Sequence, residues 1–262
     1  MRQARLAPVT LAMAALTAGP AMAQTAVPPM APPVPAPVPG SVSAMTDTPC
    51  VPARTPPDDW PALCRYRDAD RQTTARPNAV MIGDSITEFW LPIAPGLFAD
   101  GVVDRGVSGQ TSAQIMTRFY QDVVRVRPRV VHIMCGTNDV AGNTGPTSPD
   151  DFANAILAMV DMARANDIAV VLGSILPAGA FGWRNGYRPA TEIIALNTWL
   201  RDLARKRGLV YADYHGAMAD PAGAMKPGLA SDGVHPTAAG YAVMEPIARA
   251  AIAEAVRRAR KP

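Results

Sequence analysis

The stretch Ala79-Val80-Met81-Ile82-Gly83-Asp84-Ser85-Ile86-Thr87 decides the fold. Its first four residues form a short, uncharged apolar run, as in a strand buried on both faces of a sheet. Gly83 stops the run, and a strand-to-helix transition follows at Ser85. Working outward, similar runs recur at Val102-Val103 (the weakest), Val130 to Met134, Ile168 to Leu172, and Leu209-Val210-Tyr211. Between them lie stretches of helical periodicity: Ser112 to Val126, Asp150 to Ala165, Thr191 to Lys206 and Thr237 to Arg258. In the third of these, Ile193, Ile194, Leu196, Leu200 and Leu203 read as a core-facing stripe. Strands separated by helices of this length imply βαβ crossovers and a parallel sheet with helices on both faces.

The expected architecture is α/β, a flavodoxin-like three-layer α/β/α sandwich around a parallel five-stranded sheet. Such sheets bind ligands beyond the carboxyl ends of their strands. Chemically active residues should therefore follow the apolar runs, and they do. Gly83-Asp84-Ser85-Ile86-Thr87 follows the first, Arg105-Gly106-Val107-Ser108-Gly109-Gln110-Thr111 the second, and Gly136-Thr137-Asn138-Asp139 the third. Asp232-Gly233-Val234-His235-Pro236 stands ahead of the last helix. Acyl transfer requires these residue types. A serine hydroxyl must lose its proton to a base as it attacks, and a carboxylate must hold that base in its tautomer. The tetrahedral oxyanion requires preorganised donors, each worth roughly 3 kcal/mol. Asp232 and His235, three residues apart, suit one turn facing one site; Gly109 offers a backbone N–H and Asn138 an amide.

These blocks, in this order, resemble those of the SGNH hydrolase family, also called GDSL esterases/lipases, over roughly Asn78 to Ile247. The resemblance implies an SGNH hydrolase fold with Ser85 as nucleophile and Asp232 and His235 completing the triad. It also implies an oxyanion hole built by the Ser85 N–H, the Gly109 N–H and the Asn138 amide. The first block reads Gly-Asp-Ser-Ile rather than Gly-Asp-Ser-Leu, which leaves nucleophile and glycine intact. The serine of α/β-hydrolases sits in Gly-x-Ser-x-Gly, and Ile86-Thr87 after Ser85 rules that pattern out here.

Structural roles compete for the same residues. Ser85 also suits a helix N-cap, and Asp232 a turn at Gly233. Gly109 suits a positive φ, and Asn138 suits a loop. Asp84 and Asp139 are expected to hold loops through backbone amides, and no catalytic step falls to them. His132, inside a strand run, and His215, in a loop after Tyr214, read as structural. Scattered histidines without partners at ligand spacing argue against a metal, and no cofactor is implied. Trp183, Arg184 and Tyr187 fall in a loop, Pro177 to Pro189, that would overhang the site. Its aromatic faces suit sugar rings as well as plain packing. Met218, Met225 and Met244 read as filler in packed regions.

Arg2 and Arg5, the apolar run Leu6 to Ala18 and Ala21-Met22-Ala23 have the pattern of a secretory signal peptide cut after Ala23. Gly19-Pro20 breaks the run short of the ~20 residues of a membrane span. Residues 24–57 read as a Pro/Ala-rich linker, with the catalytic domain over 58–262. Of 25 basic residues, Arg2 and Arg5 belong to the leader, and the other 23 nearly balance 22 acidic ones. That balance predicts neither nucleic acid nor an anionic membrane as partner. The expected localisation is exported, periplasmic or extracellular, without stable membrane insertion after cleavage. There Cys50 and Cys64 could pair, while Cys135 reads as a buried free thiol. The expected function is hydrolysis of a small-molecule or polysaccharide ester, with short acyl groups such as acetyl on carbohydrate. Lysophospholipid and thioester substrates, and a non-catalytic carbohydrate-binding protein on the same fold, stay open.

Overall fold

The computed structural model describes Cys50 and residues 59–259. The signal and linker readings lie outside the described residues, apart from Cys50. Cys50 and Cys64 form a disulfide with Cα atoms 5.3 Å apart, and Cys135 is buried as a free thiol.

In chain order the elements begin with α1 (Arg67–Gln72), β1 (Ala79–Gly83), α2 (Ser85–Glu88), α3 (Trp90–Ile93) and β2 (Val102–Gly106). They continue with α4 (Ser112–Phe119), β3 (Val130–Met134), α5 (Thr137–Ala141), α6 (Pro149–Arg164) and β4 (Ala169–Gly173). The last are α7 (Ala190–Arg207), β5 (Val210–Ala212), α8 (Tyr214–Met218) and α9 (Ala238–Ala259). The five strands are all parallel, in the order β2-β1-β3-β4-β5. The flavodoxin-like α/β/α sandwich expected from the apolar runs is the observed fold.

Alternation along the strands divides the core. Val80, Ile82, Val131, Ile133, Val170 and Leu172 face α4, α6 and α7. Ala79, Met81, Val130, Met134 and Val171 face Trp90 and the buried sides of α8 and α9. Both faces are covered, so β1 and β3 are buried at every position, which explains runs with no polar alternation.

Helix ends follow local chemistry. Ser148 and Asp151 form a reciprocal capping box ahead of α6, with Pro149 in the first turn. The last turn of α7 carries Arg205, Lys206 and Arg207, and Gly208 closes it at φ +67°. Two helical expectations change. Ile194 is 47% exposed, because it follows Ile193 by one residue and so turns about 100° off the buried stripe. The stretch from Ser112 does not stay α-helical: α4 ends at Phe119 and a π-helical turn runs over Tyr120–Val124.

The order β2-β1-β3 has a direct consequence. The chain leaves β1 to one side for β2, then crosses back over β1 to build β3. The crevice between the carboxyl ends of β1 and β3 is thus the topological switch point of the sheet, where such folds bind ligands.

Candidate active site

Ser85 opens α2 directly after β1, at that crevice. Gly83 is required there: a Cβ on it would sit 2.2 Å from Thr87 Oγ1 and 2.4 Å from the Met134 carbonyl oxygen. The helix cap is Asp84, not Ser85. Its side chain accepts the Ile86 N–H, which leaves the Ser85 hydroxyl free for other work. As first residue of α2, Ser85 has no intrahelical acceptor for its own N–H.

The Ser85 hydroxyl finds His235. Ser85 Oγ lies 2.9 Å from His235 Nε2, across 150 positions of sequence. The other ring nitrogen, Nδ1, lies 2.7 Å from Asp232 Oδ2. Asp232 performs both roles weighed for it, with separate oxygens. Oδ1 accepts the Val234 and His235 N–H groups and shapes the turn, where Gly233 takes φ +84°. Oδ2 holds the ring. Partial burial works against its charge, but the His235 and Val234 N–H groups and the His235 ring hold the Asp232 carboxyl below its usual range. Val234, almost fully buried, anchors the turn in the core. The His235 ring sits near two aromatics, with centroid distances of 5.6 Å to Phe89 and 6.5 Å to Trp183.

The other two blocks converge on the same end of the sheet. Gly109 takes φ +77°, with open space where a Cβ would sit. Asn138, in α5 after β3, donates from Nδ2 to the Gln110 carbonyl at 3.0 Å, with a longer contact of 3.4 Å to Asp84 Oδ2. Its Oδ1 accepts from Asn143 Nδ2 at 2.6 Å, so the amide cannot flip without losing a partner. Asp139 accepts the backbone N–H and the hydroxyl of Ser112, which ties α5 to the start of α4. Burial pushes the Asp84 carboxyl up to about 7, and burial also raises Asp139 and the Cys135 thiol.

Trp183 is half exposed and donates to Asn143 Oδ1 at 3.1 Å, which sets it beside the His235 ring. Arg184 is exposed and Tyr187 half-buried, and both brace the loop. Arg184 donates to the Val140 carbonyl at 2.7 Å and its guanidinium lies 3.8 Å over the Tyr187 ring. Tyr187 also bonds Glu192. His132 is fully buried against the Tyr214 hydroxyl, and burial lowers it to about 4. His215 falls inside the short helix α8 rather than a loop, because Asp213 caps that turn through the Gly216 N–H.

Three contributors escape sequence reading. Asn143 and Phe89 carry no local signal, since each matters only through a partner distant in the chain. Arg118 carries one: it shares a helical stripe with Ile115 and Phe119, where a charge is out of place without an acid such as Asp122 four residues on.

The model of the GDSL-like lipase/acylhydrolase family matches residues 81–243. Among solved structures, a candidate acylhydrolase from Bacteroides fragilis NCTC 9343 is 38% identical with a TM-score of 0.73, covering 76% of this chain and 99% of that one. A GDSL-like lipase from Bacteroides thetaiotaomicron VPI-5482 is 37% identical with a TM-score of 0.72, covering 75% of this chain and 99% of that one. An acetylxylan esterase from Geobacillus stearothermophilus shares the fold, at 20% identity and a TM-score of 0.52, covering 66% of this chain and 93% of that one. No curated protein sequence matches the chain.

Proposed function

The chain belongs to the GDSL-like lipase/acylhydrolase family, and from that premise we propose that it hydrolyses carboxylic esters with Ser85 as nucleophile, His235 as general base and Asp232 as the carboxylate that orients the base. One observation carries this reading: Ser85 Oγ stands 2.9 Å from His235 Nε2, while Nδ1 of the same ring stands 2.7 Å from Asp232. That distance is within reach for direct proton transfer.

In the first step Ser85 Oγ bonds to the ester carbonyl carbon and its proton passes to His235 Nε2. Asp232 stabilises the imidazolium. The carbonyl oxygen becomes an oxyanion, received by the Ser85 N–H, the Gly109 N–H and the Asn138 amide. The intermediate collapses as the bond to the leaving oxygen breaks, and that oxygen takes the proton from His235. Water then attacks the acyl-enzyme with His235 again as base. The acid leaves and Ser85 regains its proton.

The proposed substrate is a short acyl ester, such as acetyl, on carbohydrate. Exposed Trp183 beside His235 supports it, since a flat aromatic face suits a sugar ring. A groove of about 580 Å³ lies along α4 and α6, lined by Trp60, Met116, Thr144 and Asn154 among others. Thr144 in its wall bonds Thr111, two residues after Gly109. A second reading, longer acyl donors, is favoured by the exposed side chains of Phe89, beside His235, and of Leu91 and Ile93 two and four residues on. The proposed site of action is outside the cytoplasm. The pattern from Arg2 to Ala23 and the Cys50–Cys64 disulfide support it.

The test is labelling with a fluorophosphonate, followed by turnover of aryl esters from acetate to long chain and of acetylated xylan. The expected result is labelling at Ser85, loss of labelling in Ser85→Ala, and preference for acetate. Labelling elsewhere or nowhere overturns the hydrolase reading. Preference for long chains overturns the acetyl reading alone.

A further inference from the structure

Arg118 lies on α4 with its side chain wholly buried, and each arm of its guanidinium reaches a different segment. Nη2 donates to the Gly83 carbonyl at 2.9 Å, at the end of β1 and two residues before Ser85. Nε donates to Gln110 Oε1 at 2.6 Å, one residue after Gly109. Nη1 donates to Asp122 Oδ2 at 2.7 Å, and Asp122 is also wholly buried.

The two active-site segments that Arg118 reaches are themselves linked. The Gly83 carbonyl also accepts the Val107 N–H at 3.1 Å, so it joins β1 to the loop carrying Gly109. The Gln110 carbonyl accepts Asn138 Nδ2 at 3.0 Å, so the position of Gln110 sets where that amide points. Gln110 Nε2 is held by the Pro61 carbonyl at 2.9 Å, which leaves Oε1 turned to Arg118.

We infer that Arg118 is a positioning residue for the oxyanion side of the site, clamping Gly83 and Gln110 so that the Gly109 N–H and the Asn138 amide keep their places relative to Ser85. The inference rests on the hydrolase reading above, in which those two donors receive the oxyanion. Only a planar guanidinium supplies separate donors to three fixed acceptors. A lysine in its place keeps the charge opposite Asp122 but offers no such fork. Burying the charge costs desolvation that a merely structural contact here would not require, since an apolar residue could fill the same space. The π-helical turn Tyr120–Val124 follows α4 and carries Asp122. Such turns concentrate at functional sites.

The test is a double-mutant cycle between Arg118→Lys and Asn138→Ala, read with an aryl acetate. Arg118→Lys should lower kcat about tenfold to a hundredfold with KM little changed, as expected for misplaced donors. In the Asn138→Ala background the same substitution should cost at least about threefold less than in wild type, because the Asn138 share of its effect is already gone and only the Gly109 share remains. If Arg118→Lys does not fold, Gln110→Leu removes the link at Gln110 Oε1 and should behave alike. Losses that multiply across the cycle, or a raised KM with kcat intact, overturn the clamp while leaving the hydrolase reading standing. A wild-type protein that turns over no aryl ester overturns both.

Discussion

Asp232 holds His235 twice, accepting its backbone N–H on Oδ1 at 2.8 Å and its ring Nδ1 on Oδ2 at 2.7 Å. One side chain therefore sets both the turn and the tautomer. Asp232→Asn keeps an oxygen for the turn but offers the ring an N–H or an uncharged oxygen. In the proposed mechanism kcat on an aryl acetate should fall on the order of 10²- to 10⁴-fold, with the far-UV spectrum unchanged. Asp232→Ala should lose as much activity and also loosen the turn. A variant Asp232→Asn with near-native kcat would remove Asp232 from the mechanism.

Asn143 grips Asn138 Oδ1 at 2.6 Å and receives the Trp183 indole N–H at 3.1 Å. Asn138→Ala should lower kcat about 10²- to 10³-fold, the usual cost of one oxyanion donor. Asn143→Ala should cost less, about tenfold, because it frees the amide without removing it. It should also raise KM for acetylated oligosaccharide more than for aryl acetate, through the released Trp183. Equal KM changes for both substrates would separate Trp183 from sugar binding.

Asp104 links stability to pH. Burial, opposed by the Gly106 N–H and reinforced by Glu88, pushes its carboxyl up from the usual 3.8 to about 7. Between those two values the folded state binds more protons than the unfolded chain, so stability from this group falls as pH rises and levels off above about 7. Asp104→Asn keeps an acceptor for the Gly106 N–H and removes the titration. Its melting temperature should vary less than wild type between pH 4 and 7, and should exceed wild type at pH 8. Identical pH slopes for the two proteins would contradict this assignment.

Gly83 admits no side chain. The Cβ of Gly83→Ala would meet Met134 backbone oxygen at 2.4 Å, and a strand buried on both faces leaves that oxygen nowhere to go. Urea unfolding should show a loss of about 1–3 kcal/mol, the usual range for overpacking. Unchanged stability would mean that β1 and β3 can separate more easily than their packing indicates.

Much of the fold was legible because a sheet covered on both faces leaves a plain record. Its strands are short, mostly apolar runs, and its helices repeat every 3.6 residues. Where local pattern misled, geometry at the scale of one residue was the reason. Ile194 follows the stripe in composition but not in angle, and the helix begun at Ser112 changes pitch at Tyr120. Neither departure leaves a mark in a run of apolar letters.

Spacing along the chain was enough to nominate Ser85, Gly109, Asn138, Asp232 and His235, since each follows a strand or opens a turn. It could not say that Asp84 rather than Ser85 caps α2, that Arg184 lies over Tyr187 and bonds the Val140 carbonyl, or that Asn143, Phe89 and Arg118 gather around the site. Those relationships depend on the strand order β2-β1-β3, which brings segments tens of residues apart to one crevice. Hydrogen bonds of that reach are set by crossover direction and packing. Neighbouring residues do not encode them, so they became visible when the chain was folded.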